Sequence, residues 1–202
     1  MEGSTRALHD SCPVKVGGQQ IARLSFRTMD HREATELIAD AVGHGSGVWA
    51  DIGAGTGTFT RALRSLLHPG SRVYAVDNDA AAITALRKIG NDVIAIRADF
   101  SKSLELPEAP VDGMLFANSL HFVPDAGAAL KRLVTLVKPR GRVVVVEYDR
   151  RSENPWVPHP IGSDRWPDLA AAAGLVNPRV TARRKSMYAG ELYVASADVA
   201  GT

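Results

Sequence analysis

A chain of 202 residues fits one domain with an ordinary core, since folds of this size bury roughly 70% of the surface their unfolded chains expose. With 24 Lys and Arg spread along the chain against 22 Asp and Glu, the formal charge is +2, which argues against a nucleic-acid partner. The single cysteine, Cys12, excludes an internal disulfide and a thiolate metal site, and the N-terminus has no apolar run resembling a signal peptide. The longest purely aliphatic run, Val143 to Val146, is far short of the ~20 residues a spanning helix needs, so a soluble, cytoplasmic protein with no membrane partner and no metal is expected.

Residues 1–29 show no clear period and read as an N-terminal arm, partly disordered or acting as a lid, before a single domain over 30–202. Asp30 followed by Glu33 resembles a capping box, and Ala34, Leu37, Ile38 and Ala41 share one helical face up to Gly43. Val48 to Ile52 then reads as a short buried strand carrying Asp51, followed by glycines at alternate positions, Gly53, Gly55 and Gly57. Glycine allows a ligand to approach the main chain closely, and the amides of a following helix face the same spot. That helix carries Phe59, Ala62, Leu63, Leu66 and Leu67 and stops at Pro69-Gly70.

A second strand, Val73 to Val76, ends at Asp77, and a helix with Ile83, Leu86 and Ile89 closes at Gly90. The third strand, Val93 to Ile96, ends near Asp99-Phe100, and the fourth, Met114 to Ala117, exits at Asn118, Ser119 and His121. Asp125 caps a helix with Leu130, Leu133, Val134 and Val137, stopped by Pro139 and Gly141. The β-branched run from Val143 to Val146 is typical of a central strand covered on both faces. From Asp149 to Pro167 the rhythm breaks in a loop with four prolines, after which a short helix (Leu169 to Ala173) and two strand-like runs, near 179–182 and 191–195, form an antiparallel edge hairpin. The alternation predicts an α/β fold, doubly wound around a mostly parallel sheet.

The glycine spacing is G-x-G-x-G, with Thr58 where a dinucleotide fingerprint needs its third glycine. Asp51 would repel a pyrophosphate and attract an ammonium or sulfonium. Asp77, about twenty residues beyond Gly57, can accept both ribose hydroxyls. Asp99 can accept an adenine amino group, and Phe100 can stack on the base. Strand-end acids also cap helices, but these occupy successive strand exits and converge on one crevice.

The ordered set DIGAGTG, VDND, ADF, FANSLHFV and LVKPRGRVVVVEY resembles the class I S-adenosylmethionine-dependent methyltransferases, nearest their small-molecule branch that includes quinone-biosynthesis enzymes. The likeness covers roughly residues 46–150 and extends towards 196. It implies a Rossmann-like, seven-stranded sheet and S-adenosyl-L-methionine as cofactor. By position, Asp51, Gly53, Ala54, Gly55 and Gly57 would hold the methionine part, Asp77 the ribose, Asn78 the ribose or adenine, Asp99 and Phe100 the adenine, and Asn118 would lie under the methionine end.

His121 is the first candidate for a catalytic or acceptor-contacting role, with Glu147 and Tyr148 second, while Trp156, His159 and Trp166 are candidates to line or lid the acceptor pocket. The clusters Arg150-Arg151 and Arg183-Arg184-Lys185 read as a solvated face. No N-P-P-Y or D-P-P-Y stands at the fourth strand exit, which disfavours adenine or glutamine amino-group methylation by that route. Two functions stay open: methyl transfer to a small-molecule acceptor, and a non-enzymatic cofactor-binding or interaction module of the same fold. A nucleotide-dependent oxidoreductase is a third, disfavoured by the glycine spacing.

Overall fold

The computed structural model describes residues 29–150, 152–186 and 190–201. The expectation for the N-terminal arm therefore lies, Met29 apart, outside the described residues. Helix α1 (His31–Val42) starts with Asp30 and Glu33 in a reciprocal capping box and ends at Gly43, whose φ of 73° only glycine adopts readily. Next come β1 (Val48–Ile52), α2 (Thr58–Leu66), β2 (Arg72–Asp77), α3 (Ala80–Leu86), β3 (Val93–Arg97) and β4 (Val111–Ala117). The chain continues through a 3-10 turn (Leu120–Phe122), α4 (Ala126–Val134), β5 (Val137–Tyr148), α5 (Trp166–Ala172), β6 (Leu175–Ser186) and β7 (Gly190–Val199).

The seven strands form one sheet in the order β3-β2-β1-β4-β5-β7-β6. The first five in that order run parallel, while β7 is antiparallel to both β5 and β6. The expected edge hairpin is present and is longer than the sequence suggested. Strand order reverses between β1 and β4, and in such sheets the crevice at the carboxyl ends of the reversing strands is where ligands bind.

Both faces are covered, and β5 shows why its run is continuous. Val143 and Val145 pack with Phe116, Trp166 and α4 on one side, while Val144 and Val146 pack with Leu115, Leu63 and α1 on the other. At the opposite, entering ends of β1 and β4, Asp112 accepts the Val48 amide at 2.8 Å and the Lys138 ammonium at 2.7 Å. Beside it Gly113 lies so close to the Trp49 indole that a Cβ would come within 2.5 Å of the ring.

Three expected helix ends overshoot. Leu67 is the extended cap of α2, Ile89 lies beyond α3, and Val137 is the first residue of β5, paired with Val111. Apolar spacing alone does not separate the last turn of a helix from the start of a buried strand. Pro139 and Gly141 sit inside β5, at an irregular stretch where the register to β4 shifts, and a bulge is where a strand tolerates proline. The last helix starts at Trp166 rather than Leu169, with Pro167 in its first turn, where the missing amide costs nothing. No helix among the described residues is long and apolar enough to cross a membrane.

Candidate active site

A cavity of about 1410 Å³ opens across the carboxyl ends of the parallel strands. Its floor is the turn between β1 and α2. The Gly53 and Ala54 amides both donate to Val76 O at 2.9 Å, and the Gly55 amide donates to Asp77 Oδ2 at 2.7 Å. These amides lash the turn to β2. The amides of Thr58 and Phe59, in the first turn of α2, have no acceptor among the described residues, and both residues line the cavity.

Gly53, Ala54 and Gly55 line the cavity and Gly57 does not. Gly57 is glycine for a different reason: with φ of 91° it starts α2, and a Cβ there would meet Ile89 Cδ1 at 2.5 Å. It packs the start of α2 against the end of α3.

Asp51 is likewise displaced from its expected place. It is fully buried beneath the turn and absent from the cavity wall. Oδ2 accepts the Thr60 hydroxyl at 2.6 Å, and Oδ1 has no partner among the described residues. Burial pushes its carboxyl up to about 7, against the lowering effect of the Thr60 hydrogen bond and with the Asp77 charge adding to the rise. A carboxyl that titrates near 7 when folded and near 3.9 when unfolded holds its proton more tightly in the fold. Its contribution is therefore fully present below about pH 4 and is lost as pH rises to about 7, an effect of up to roughly 4 kcal/mol. Asp51→Asn keeps an acceptor for Thr60 and removes that loss. The melting-temperature difference between ligand-free variant and wild type is expected to favour the variant more at about pH 8 than at about pH 5, and a constant difference would contradict the assignment.

Asp77 lines the cavity with its oxygens already accepting the Gly55 amide and, at 2.9 Å, the Asp79 amide, leaving further lone pairs for hydroxyl groups. Asn78 lies beside it on the same wall. Asp99 also lines the cavity, but its Oδ1 accepts the Ser101 hydroxyl at 2.5 Å and the Ser101 amide at 3.0 Å. The Ser101 hydroxyl holds that carboxyl below the usual carboxylate range. Phe100 stands edge-on to Phe116, ring centroids 6.3 Å apart, and presents a ring to the cavity near Gly53.

Across the floor, Asn118 adopts φ of 52° at the end of β4, donates its amide to Val146 O at 2.8 Å, and lines the cavity, its buried Oδ1 without a partner among the described residues. A left-handed asparagine with an orphaned acceptor at a cavity wall awaits a donor from a ligand. The next residue but two, His121, lines the cavity while 1% exposed. Its Nδ1 lies 2.5 Å from Glu147 Oε2, and its amide is 3.4 Å from Oε1.

Glu147 is itself fully buried and lies behind the imidazole rather than in the cavity wall. An ionised carboxylate only accepts, so this contact fixes the proton on Nδ1 and leaves the Nε2 lone pair. Nε2 makes no hydrogen bond among the described residues, so it is the ring nitrogen left for the cavity that His121 lines. Tyr148 also lines the cavity, its ring centroid 6.2 Å from that of His121.

Of the three aromatic candidates in the 149–167 loop, Trp156 lines the cavity mouth and is 80% exposed. His159 is not in the wall; its amide donates to His121 O at 3.0 Å, which braces the 3-10 turn. Trp166 is a core residue, fully buried, with Nε1 donating to Ser196 O at 3.3 Å. The sequence reasoning missed Phe122, exposed at the mouth, and Glu33, Arg184 and Lys185 in the wall. The signal for the last two was present in the cluster Arg183-Arg184-Lys185, which read as a solvated face.

These residues fit the expected cofactor: an acid at the second strand exit, an aromatic ring and acid at the third, an orphaned asparagine oxygen at the fourth, and a glycine floor. Residues 50–145 match a family model described as a methyltransferase domain. By fold, by the order of its motifs and by this match over just under half of its length, the chain is similar to the class I S-adenosylmethionine-dependent methyltransferases. It is 33% identical over 126 residues to trans-aconitate 2-methyltransferase of Escherichia coli O1:K1 / APEC, covering 60% of this chain and 47% of that protein. It is 29% identical over 110 residues to the ubiquinone/menaquinone biosynthesis C-methyltransferase UbiE of Pseudomonas aeruginosa (strain LESB58), covering 52% and 43%. The chain thus spans about half the length of the curated relatives it matches.

Among solved structures, 1,6-didemethyltoxoflavin-N1-methyltransferase of Burkholderia thailandensis, with bound 1,6-didemethyltoxoflavin and S-adenosylhomocysteine, superposes with a TM-score of 0.65 at 23% identity, covering 84% of this chain and 78% of that one. A SAM-dependent methyltransferase from Aquifex aeolicus gives 0.64 at 18% identity, covering 85% and 100%.

Proposed function

We propose that the protein transfers a methyl group from S-adenosyl-L-methionine to a small-molecule acceptor that must lose a proton as it is methylated. The observation that carries this reading is that one cavity joins the strand-exit residues suited to a nucleoside with the Nε2 of a buried histidine. When bound, S-adenosyl-L-methionine supplies an electrophilic methyl on a sulfonium and leaves as the thioether S-adenosylhomocysteine.

The chain's own residues hold and align. Asp77 takes the ribose hydroxyls, Phe100 offers an aromatic contact to the base, with Asn78 and Asp99 beside it, and Asn118 Oδ1 accepts from the ammonium end. His121 Nε2 takes the acceptor's proton as the new bond to carbon forms, and Glu147 steadies the imidazolium that results. Tyr148 stands near enough to orient the acceptor, and Trp156 and Phe122 border its entrance. Positioning of this kind can supply roughly 7 to 11 kcal/mol of a barrier, and a placed base a further 10²- to 10⁴-fold in rate.

Two measurements test the reading. S-adenosylhomocysteine at about 100 times its dissociation constant is expected to stabilise the fold by about 2.7 kcal/mol, seen as a raised melting temperature, and NAD is expected to have no effect. A shift with NAD alone would overturn the cofactor. Label transfer from S-adenosyl-L-methionine into a metabolite extract then separates an enzyme from a binding module.

A further inference from the structure

We infer that the acceptor end of the cavity is built for an organic carboxylate, anchored by Arg184; this rests on the methyltransferase reading above and names its substrate class. The sheet register places the anchor. Tyr148 is opposite Leu192, and Leu192 is opposite Arg184, so the three stand in one row across β5, β7 and β6. Directly opposed residues share a sheet face, and all three line the cavity. Two strand spacings separate the first from the last, about 10 Å. A flexible arginine side chain shortens that span, so a small molecule with its nucleophile at His121 can reach a cation with its far end.

The charges sort along the cavity in the matching direction. Asp77 and Asp99 lie at the nucleoside end, where the ligand brings hydroxyl, amino and sulfonium groups. Arg184 lies at the other end, facing one carboxylate among the described residues, Glu33. That carboxylate is committed twice: Oε2 accepts the Asp30 amide at 3.1 Å to cap α1, and Oε1 accepts Arg184 Nη2 at 2.7 Å. Glu33 thereby fixes the guanidinium, whose fork carries five donors and has no second acceptor among the described residues. Lys185 also borders this end, but it stands opposite Glu191 across the hairpin, so its side chain leaves from the other face of the sheet. A planar two-oxygen group fits the remaining edge of a guanidinium.

The test uses the full chain, labelled cofactor and a panel of hydroxybenzoates, hydroxycinnamates and hydroxy-dicarboxylates, each paired with its methyl ester. In wild type the free acids are expected to exceed their esters in kcat/KM by about 10-fold or more. In Arg184→Gln that preference is lost through a raised KM, with kcat within about twofold, Arg184→Lys recovers part of it, and Lys185→Gln, changed on the other face, keeps it. Equal use of acid and ester by wild type, or an acid preference that survives Arg184→Gln, would overturn the proposal, as would preferential use of the matched phosphate monoesters.

If none of the panel is methylated, binding is read instead: acids are expected to raise the melting temperature of the protein loaded with S-adenosylhomocysteine and esters are not. No shift with any acid at 10 mM would then reject the carboxylate site. The melting-temperature shift by S-adenosylhomocysteine alone is expected to be equal in wild type and variants. Its absence from wild type would sink the methyltransferase reading itself, which is a different result.

Discussion

Gly53→Ala is expected to weaken S-adenosylhomocysteine binding by 100-fold or more while Gly55→Ala costs about 10-fold at most. Both glycines have positive φ, +75° and +53°, so each alanine carries a backbone penalty of about 1 kcal/mol. The surroundings then separate them. A Cβ at Gly53 would come within 2.5 Å of Ser119 Cβ and 3.2 Å of its Oγ, whereas a Cβ at Gly55 meets nothing within 4 Å. Ser119 cannot retreat, being buried directly after Asn118 with its strained φ.

Overpacking of this kind costs about 1 to 3 kcal/mol, and relief by moving Ser119 would carry Asn118 Oδ1 away from the ligand. Calorimetric titration of the two variants, alongside urea unfolding, checks the contrast. Equal affinities would show that the approach of Gly53 to the β4 exit is irrelevant to the ligand.

Glu147→Gln is expected to lower the single-turnover rate about 10²- to 10⁴-fold with cofactor affinity unchanged. The substitution preserves shape, but an amide can donate towards Nδ1, which moves the ring proton to Nε2 and removes the lone pair from the cavity side. His121→Ala should lose turnover to a similar degree. It is the less clean experiment, because it strands a buried Glu147, and a buried charge deprived of its partner costs about 3 to 5 kcal/mol of stability. Rapid-quench measurement of one methyl transfer, with the variant saturated in cofactor, separates the effect on chemistry from any effect on folding. Full turnover in Glu147→Gln would leave the pair structural.

The parts of the site legible in the sequence are those that strand ends fix locally. Asp77, Asp99 and Asn118 each follow a recognisable apolar run, and parallel topology carries all such exits to one edge of the sheet. What escaped was whatever depends on register between distant segments. Glu147 and His121 were separately visible as candidates, but their pairing follows from Ala117 lying opposite Val146, which no local pattern encodes. Asp51 and Gly57 belong to the same glycine motif as Gly53 and Gly55, yet one is turned under the floor and the other packs against Ile89, because a tight turn presents successive residues in different directions. Trp166 fell in a proline-rich stretch and looked like loop, whereas it opens α5 and fills the core beneath β7. Arg184 gained its position from a hairpin partner eight residues on, Leu192.

The clasp at Asp112 gives the molecule a second property. Strands β1 and β4 hold the ligand-facing residues at their leaving ends and the Asp112, Lys138 and Val48 contacts at their entering ends. The five residues of β1 put roughly 17 Å between the two. Changes that far apart, sharing no partners, combine additively in free energy. Durability and catalytic character can therefore drift independently in this chain, one edge of the sheet accepting changes that toughen the fold while the other is reshaped for a new acceptor.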